Sequence, residues 1–315
     1  MCGFRDSSSA FLIISGFGFQ NSKLTSETGL YVDEFRLYHV CVSTYNKKRG
    51  GLFPKILTII AVLIVLNVIL HFVFVNLTRQ GGVYAISHRG AAGIAPENTM
   101  ASIRAGAESG TTFIEIDVRL TADRAFVLMH DGTVDRTTGG TGYVRDLEWA
   151  YVKGLDAGGY FGSRFEGETV PDLGRVLEYM KGKSPTLVIE VKSPGERPGT
   201  RELLAELIRE HGMEKEIAVV SFDGEWVTEF GRIMPDVTLG ALYIYPLLPP
   251  PAEEVRYLSV FWPSYILDPT LVWRTHRSGH EVWAWNVNNH LVARFLSWKG
   301  VDGIVLDRPG LLSEN

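Results

Sequence analysis

The sequence predicts an α/β protein: a (β/α)8 barrel with a small insertion after its second strand, preceded by one transmembrane helix. Three observations predict it. From residue 83 onward, short apolar runs alternate with amphipathic ones, the order of repeated strand–helix units. The apolar runs lack polar alternation, and several amphipathic runs stop at a glycine (Gly110, Gly212, Gly300), as in a parallel sheet covered by helices. Residues 56–77 carry no charge, enough to cross a hydrocarbon layer of about 30 Å.

Taken in order, residues 1–55 mix apolar patches with Ser, Gly and Thr, show no sustained periodicity, and read as a weakly ordered cytoplasmic tail. The membrane-spanning segment, 56–77, is interrupted only by Thr58, Asn67, His71 and Asn76. It exceeds a usual signal-peptide core, and no small-residue cleavage site clearly follows it. Lys47, Lys48, Arg49 and Lys55 crowd its N-terminal flank, against Arg79 on the other. The positive-inside rule therefore keeps the N-terminus cytoplasmic and puts the large C-terminal domain, 83–315, outside.

In that domain, strands are expected at 83–87, 113–120, 126–130, 187–191, 217–221, 238–243, 257–261, 281–286 and 301–306. Helices are expected at 98–109, 172–180, 201–211, 224–233, 269–278 and 290–299. About eight strand–helix units suit a closed barrel better than a doubly wound sheet. No Gly-x-Gly-x-x-Gly follows the first strand, which counts against a dinucleotide fold. The stretch 132–170 is rich in Gly and aromatics; so long an irregular segment reads as a functional lid or small subdomain.

Composition narrows the function. With 45% hydrophobic and 21% charged residues the chain is an ordinary globular protein with a full core. A net charge of -5 offers no broad basic surface, so nucleic acid is excluded as a partner. The two cysteines, Cys2 and Cys41, both precede the apolar segment, so a metal in the barrel would have to be held by oxygen or imidazole.

Polar residues at the C-terminal ends of barrel strands converge on one mouth. His88-Arg89, Glu115 and Asp117, His130-Asp131, Glu190-Val191-Lys192, Trp283-Ala284-Trp285 and Asp307 occupy such ends. Glu115 and Asp117 lie two apart, on one face of a strand. Two close carboxylates in apolar surroundings call for a cation between them, and Glu190 adds a third hard oxygen donor suited to Mg2+ or Ca2+. His88 and His130 supply a general acid and a general base. Arg89 and Lys192 place positive charge where a phosphoryl group would sit, although Arg89 could instead pair with a barrel carboxylate. Asn98 or Thr99 caps the first helix of the domain, and Glu97 is expected near the metal or one contact away. Trp283 and Trp285 share a face and either stack on a substrate alcohol or plug the barrel.

These residues, in the order His88-Arg89-Gly90, Pro96-Glu97-Asn98-Thr99, Glu115-x-Asp117, His130-Asp131, Glu190-x-Lys192 and Val301-Asp302-Gly303-Ile304-Val305-x-Asp307-Arg308-Pro309, resemble the glycerophosphodiester phosphodiesterase family. The resemblance covers residues 84–311 and none of the first 80. It implies a TIM-barrel hydrolase that cleaves glycerophosphodiesters to sn-glycerol 3-phosphate and an alcohol with a divalent cation. It also implies Glu115, Asp117 and Glu190 on the metal, His88 and His130 as acid and base, and Arg89 and Lys192 on the phosphate. The family nucleophile is a glycerol hydroxyl or a metal-bound water. Trp285-Asn286-Val287-Asn288 departs from the more usual Trp-Thr-Val-Asn, a change that bears on substrate detail. A lysophospholipase D acting on intact lysolipid is the rival, since an anchor leaves the mouth near the bilayer. A non-catalytic phosphate-binding membrane module is the reading from another class.

Overall fold

The computed structural model describes residues 30–78, 81–193, 195, 197–245 and 254–312. Internal contacts divide the chain at Leu63/Ile64. Of the first unit, the described part is the leading portion of helix α1 (Leu30–Leu77); the second holds the rest of α1 and the α/β domain.

Within α1, Phe53–Leu77 is long and apolar enough to cross a membrane. The helix also runs back to Leu30, through part of what the sequence suggested was irregular tail. Nucleation is the costly step of helix formation, and each residue added to an existing helix gains a hydrogen bond, so weak periodicity does not stop propagation. The rest of the expected tail, residues 1–29, lies outside the described residues.

Eight parallel strands close the barrel: β1 (Tyr84–Ser87), β2 (Phe113–Leu120), β4 (Thr186–Val191), β5 (Ile217–Ser221), β6 (Thr238–Tyr243), β7 (Tyr257–Phe261), β8 (Glu281–Trp285) and β9 (Gly303–Leu306). β1 pairs with both β9 and β2, which completes the ring. The remaining strand, β3 (Phe126–Leu128), runs antiparallel to β2 and is not a stave. The insertion at 132–170 follows β3. Its short helices include α3 (Trp149–Val152), and it packs on an apolar cluster of its own with Val134, Val144, Val152 and Val170.

The outer layer consists of α2 (Met100–Glu108), α4 (Leu173–Met180), α5 (Thr200–His211), α6 (Gly224–Ile233), α7 (Ser264–Leu267), α8 (Leu271–Arg277) and α9 (His290–Lys299). Strand parity sorts the core into two parts. Ile114, Ile116, Val118, Leu187, Ile189 and Val219 face the helices, whereas Ile86, Val188, Val220, Tyr257 and Trp283 fill the barrel interior. Tyr257 and Trp283 stack at 3.6 Å across that interior. A Cβ at Gly240 would lie 2.3 Å from the Tyr257 ring, so only glycine lets the tyrosine cross the barrel there.

Candidate active site

The turn leaving β1 is built to hold its side chains in place. Gly90 has φ +89°, and a Cβ there would meet Ser102 Oγ at 2.3 Å and the Ile103 amide at 2.8 Å, so α2 packs directly on a bare backbone. Arg89 (φ 49°), Asn98 (φ 55°) and Ser193 (φ 49°) are left-handed without being glycine, and all three adjoin the strand-end residues singled out above. Such conformations persist where surrounding bonds enforce them. The Arg89 amide donates to Glu115 Oε2 at 2.8 Å, and the Asn98 amide to the Arg89 carbonyl at 3.0 Å.

Glu115, Asp117 and Glu190 converge. Asp117 and Glu190 are direct partners in the register of β2 on β4, and in parallel strands such partners project to the same side. One oxygen from each of the three buried carboxylates lies within 4.8 Å of the others. Glu115 Oε1 is buried with no hydrogen-bond donor. Asp117 Oδ1 and Glu190 Oε1 have the Lys192 ammonium at 3.0 and 2.5 Å, off hydrogen-bond geometry. Three hard oxygens this close, incompletely satisfied, fit a divalent cation.

Electrostatics separates the three acids. Burial first, then the neighbouring charges of Asp117 and Glu190, push the Glu115 carboxyl well above its ordinary range. Burial and the Asp117 charge push Glu190 up to about 7. Burial acts on Asp117 in the same sense, but Lys192 and Arg89 outweigh it and hold that carboxyl well below the usual range. Asn98 braces Asp117 from both sides: its Nδ2 donates to Oδ2 at 2.8 Å, and its Oδ1 accepts the Asp117 amide at 3.0 Å. Thr99, not Asn98, caps α2.

Each candidate histidine has a carboxylate on Nδ1: Asp307 Oδ1 at 2.6 Å from His88, and Asp131 Oδ1 at 2.7 Å from His130. That contact favours the proton on Nδ1 and leaves Nε2 for chemistry. Burial holds His130 below the ordinary imidazole pKa, although Asp117 works to raise it. Both rings line a cavity of about 280 Å3 together with Arg89, Glu115, Glu190 and Lys192. Its other wall is apolar: Val188, Val220, Leu242, Tyr257, Trp283 and Val305.

Arg89 takes part in the ion pairing that the sequence raised as an alternative: Nη1 lies 2.7 Å from Glu97 Oε1 and Nε lies 3.4 Å from Asp117 Oδ2. Its Nε is buried without an acceptor in hydrogen-bond geometry. Glu97 stands apart from the three acids and binds Arg89 and Arg136. The two tryptophans divide: Trp283 is buried in the stack with Tyr257, while Trp285, at the end of β8, donates from Nε1 to the Ser259 carbonyl at 3.0 Å and packs edge-on to Phe222.

Sequence reasoning missed Arg136. It bonds Asp131 and Glu97 at once and so ties the insertion to the mouth; its hydrogen bond draws the Asp131 carboxyl down to about 2. Nothing in its local sequence marks it. Phe222 was also missed, though an aromatic one residue past an apolar strand is a signal of a kind.

A sequence model of the glycerophosphoryl diester phosphodiesterase family matches residues 88–311. The glycerophosphodiester phosphodiesterase of Caldanaerobacter subterraneus is 36% identical over 230 residues, which is 72% of this chain and 95% of that protein. The crystal structure of glycerophosphodiester phosphodiesterase from Agrobacterium tumefaciens is similar at TM-score 0.64 and 31% identity, covering 74% of this chain and 99% of that one. An Oleispira antarctica phosphodiesterase, solved in complex with the product sn-glycerol-3-phosphate, is similar at TM-score 0.66 and 26% identity over 76% of this chain and 96% of that one.

Proposed function

The chain belongs to the glycerophosphodiester phosphodiesterase family, whose members hydrolyse glycerophosphodiesters to glycerol 3-phosphate, and on that premise we propose a membrane-anchored, metal-dependent enzyme working by general acid–base catalysis. One observation carries the reading: three buried carboxylates lie within 4.8 Å of one another, and two of them, Glu115 and Glu190, share a cavity wall with two carboxylate-backed histidines.

Glu115, Asp117 and Glu190 would hold the divalent ion, Mg2+ or Ca2+. When bound, it screens the phosphodiester charge and polarises the phosphoryl oxygens. Lys192 and the unsatisfied Nε of Arg89 supply positive charge and a donor to the phosphate. The Nε2 of one imidazole takes the proton of the attacking hydroxyl, a glycerol hydroxyl or water, while the other gives a proton to the departing alcohol oxygen; where the glycerol hydroxyl attacks, the cyclic phosphodiester so formed is opened by water with the two rings' roles exchanged, which gives glycerol 3-phosphate. Asp307 and Asp131 orient the rings and stabilise each when it becomes cationic. The low pKa of His130 suits the proton acceptor, which must start neutral. Trp285, Phe222 and the apolar wall meet the alcohol portion. Phe53–Leu77 serves as a single-pass anchor, with the basic flank cytoplasmic and the barrel outside.

The apolar wall favours one second reading, a lysophospholipase D activity in which that wall takes an acyl-bearing glycerol. Incubating the full chain with glycerophosphocholine or lysophosphatidylcholine, under Mg2+, Ca2+ or chelator, tests both. Glycerol 3-phosphate release from the first substrate, lost under chelation, is expected. Lysophosphatidic acid as the dominant product would favour the second reading, and no turnover with any metal would leave the binding module.

A further inference from the structure

Two side chains that line the cavity, His130 and Arg89, are joined outside it through a residue of the insertion that does not line it, Arg136. Asp131 faces two ways: its Oδ1 accepts from His130 Nδ1 at 2.7 Å, and its Oδ2 from Arg136 Nε at 2.5 Å. The other edge of Arg136 meets Glu97, with Nη1 on Oε2 at 2.8 Å and Nη2 on Oε1 at 2.7 Å. Glu97 Oε1 also accepts from Arg89 Nη1 at 2.7 Å. All three nitrogens of the Arg136 guanidinium are thus engaged by the two carboxylates that hold His130 and Arg89.

The His130 and Asp131 side chains are 33% and 32% exposed, so water competes for both. A carboxylate held by one oxygen alone turns easily about its last torsion and releases the ring; a charge-assisted bond on the second oxygen fixes it. His88 shows the same arrangement with other residues: Asn288 Nδ2 donates to Asp307 Oδ2 at 2.5 Å, and Asn288 Oδ1 accepts the Asp307 amide at 3.1 Å. Each imidazole has a carboxylate, and each carboxylate has a holder. The turn that presents Arg136 is itself anchored by buried neighbours, the Val134 amide donating to the Gly142 carbonyl at 3.1 Å and Thr137 Oγ1 to Met129 Sδ at 3.4 Å. Tyr160, also in the insertion, accepts the Glu97 amide on its phenol oxygen at 3.1 Å, so backbone and side chain of Glu97 both meet the insertion. We propose that Arg136 is a positioning residue for phosphodiester cleavage: one planar guanidinium fixes the His130 ring through Asp131 and the Arg89 guanidinium through Glu97, so that the insertion completes the active site. That role presupposes the phosphodiesterase reading of the cavity. A lysine cannot fill it, because an ammonium is a point charge without two bonding edges.

Hydrolysis of glycerophosphocholine by the detergent-solubilised full chain, with Mg2+ or Ca2+, tests the role in Arg136→Ala, Arg136→Lys and Arg164→Gln. Arg164 is the control: it ties the insertion to the same segment after β1, its Nη2 donating to the Ile94 carbonyl at 3.0 Å, without bonding Asp131 or Glu97. Arg136→Ala is expected to lower kcat about tenfold or more, the cost of slightly misplaced reacting groups, with the circular dichroism of the fold retained. Arg136→Lys should lose about as much. Guanidinium chloride at about 50 mM, too dilute to unfold a domain, should restore Arg136→Ala several-fold where equimolar sodium chloride does not. Arg164→Gln should stay within about twofold of the unaltered chain, since exposed contacts contribute little. On an Asp131→Asn/Glu97→Gln background, Arg136→Ala should cost less than about threefold further, because both its partners are already altered. Near-normal turnover by Arg136→Ala, full activity in Arg136→Lys, no gain from guanidinium, an equal loss in Arg164→Gln, or a loss that multiplies in full on the altered background would each overturn the proposal. No turnover by the unaltered chain with either metal would remove the phosphodiesterase reading and this role together, whereas an active unaltered chain with any of those results removes the role alone.

Discussion

Replacing Glu190 by glutamine removes one candidate metal ligand and, in the same step, an ionisable group that the metal-free fold holds at a disadvantage. Burial and the Asp117 charge raise its pKa from 4.5 to about 7, so ionising it within the fold costs about 3 kcal/mol relative to the unfolded chain. The sign follows from the raised pKa: the protonated form is favoured on folding, so its stabilising effect is complete below pH 4.5 and is lost as pH rises to about 7. Glutamine keeps the shape and never ionises. In chelator, Glu190→Gln should match the wild type at pH 4 and exceed it by up to about 3 kcal/mol at pH 8; the gain is reduced because Lys192, 2.5 Å away, loses a partner. With Mg2+ or Ca2+ the order should reverse, since a ligand that binds only the folded state stabilises whichever chain binds it better. Denaturant unfolding of detergent-solubilised full chain at both pH values, with metal and with chelator, reads all four cases. A metal-free variant no more stable than wild type at pH 8, or an equal metal effect on both chains, would refute the reasoning.

Four further outcomes are expected. His88→Ala and His130→Ala should each lower kcat by at least about 10²-fold with the circular dichroism of the folded barrel retained; near-normal turnover would remove that ring from the mechanism. Asp307→Asn should lower kcat about tenfold or more without loss of fold, because His88 loses the carboxylate that sets its tautomer. Metal titrated into the metal-free enzyme at pH 6 should release at least about one proton, and apparent affinity should rise with pH through about 7, because ions displace protons held by the raised carboxyls of Glu190 and Glu115; calorimetry in buffers of different ionisation enthalpy measures this. Gly90→Ala should destabilise the chain by at least about 2 kcal/mol in denaturant melts, since φ +89° and the 2.3 Å approach to Ser102 both exclude a Cβ.

Much of the site was legible because strand chemistry is local. The inward pair Glu115 and Asp117 follows from their spacing alone, and His88, His130, Glu190 and Lys192 stand out as charged or titratable residues closing apolar runs. Glu97 was legible as a site residue but not in its partners, two arginines from different segments. Asn98 was read as a possible cap because the Asn-Thr pair permits either residue; the left-handed backbone at Asn98 turns its amide onto Asp117 and leaves the cap to Thr99.

By itself the sequence determined the barrel class, the apolar helix and which residues stand at strand ends, because side-chain period, helix stops and hydrophobic length are each set within a few neighbouring residues. Only the tertiary structure decided which of those residues meet. Asp117 beside Glu190, His88 on a carboxylate 219 residues away and Arg136 joining Glu97 to Asp131 all depend on how the barrel closes and where the insertion folds. Those long-range pairings are set by the packing of the whole core, and no local pattern in the chain encodes them.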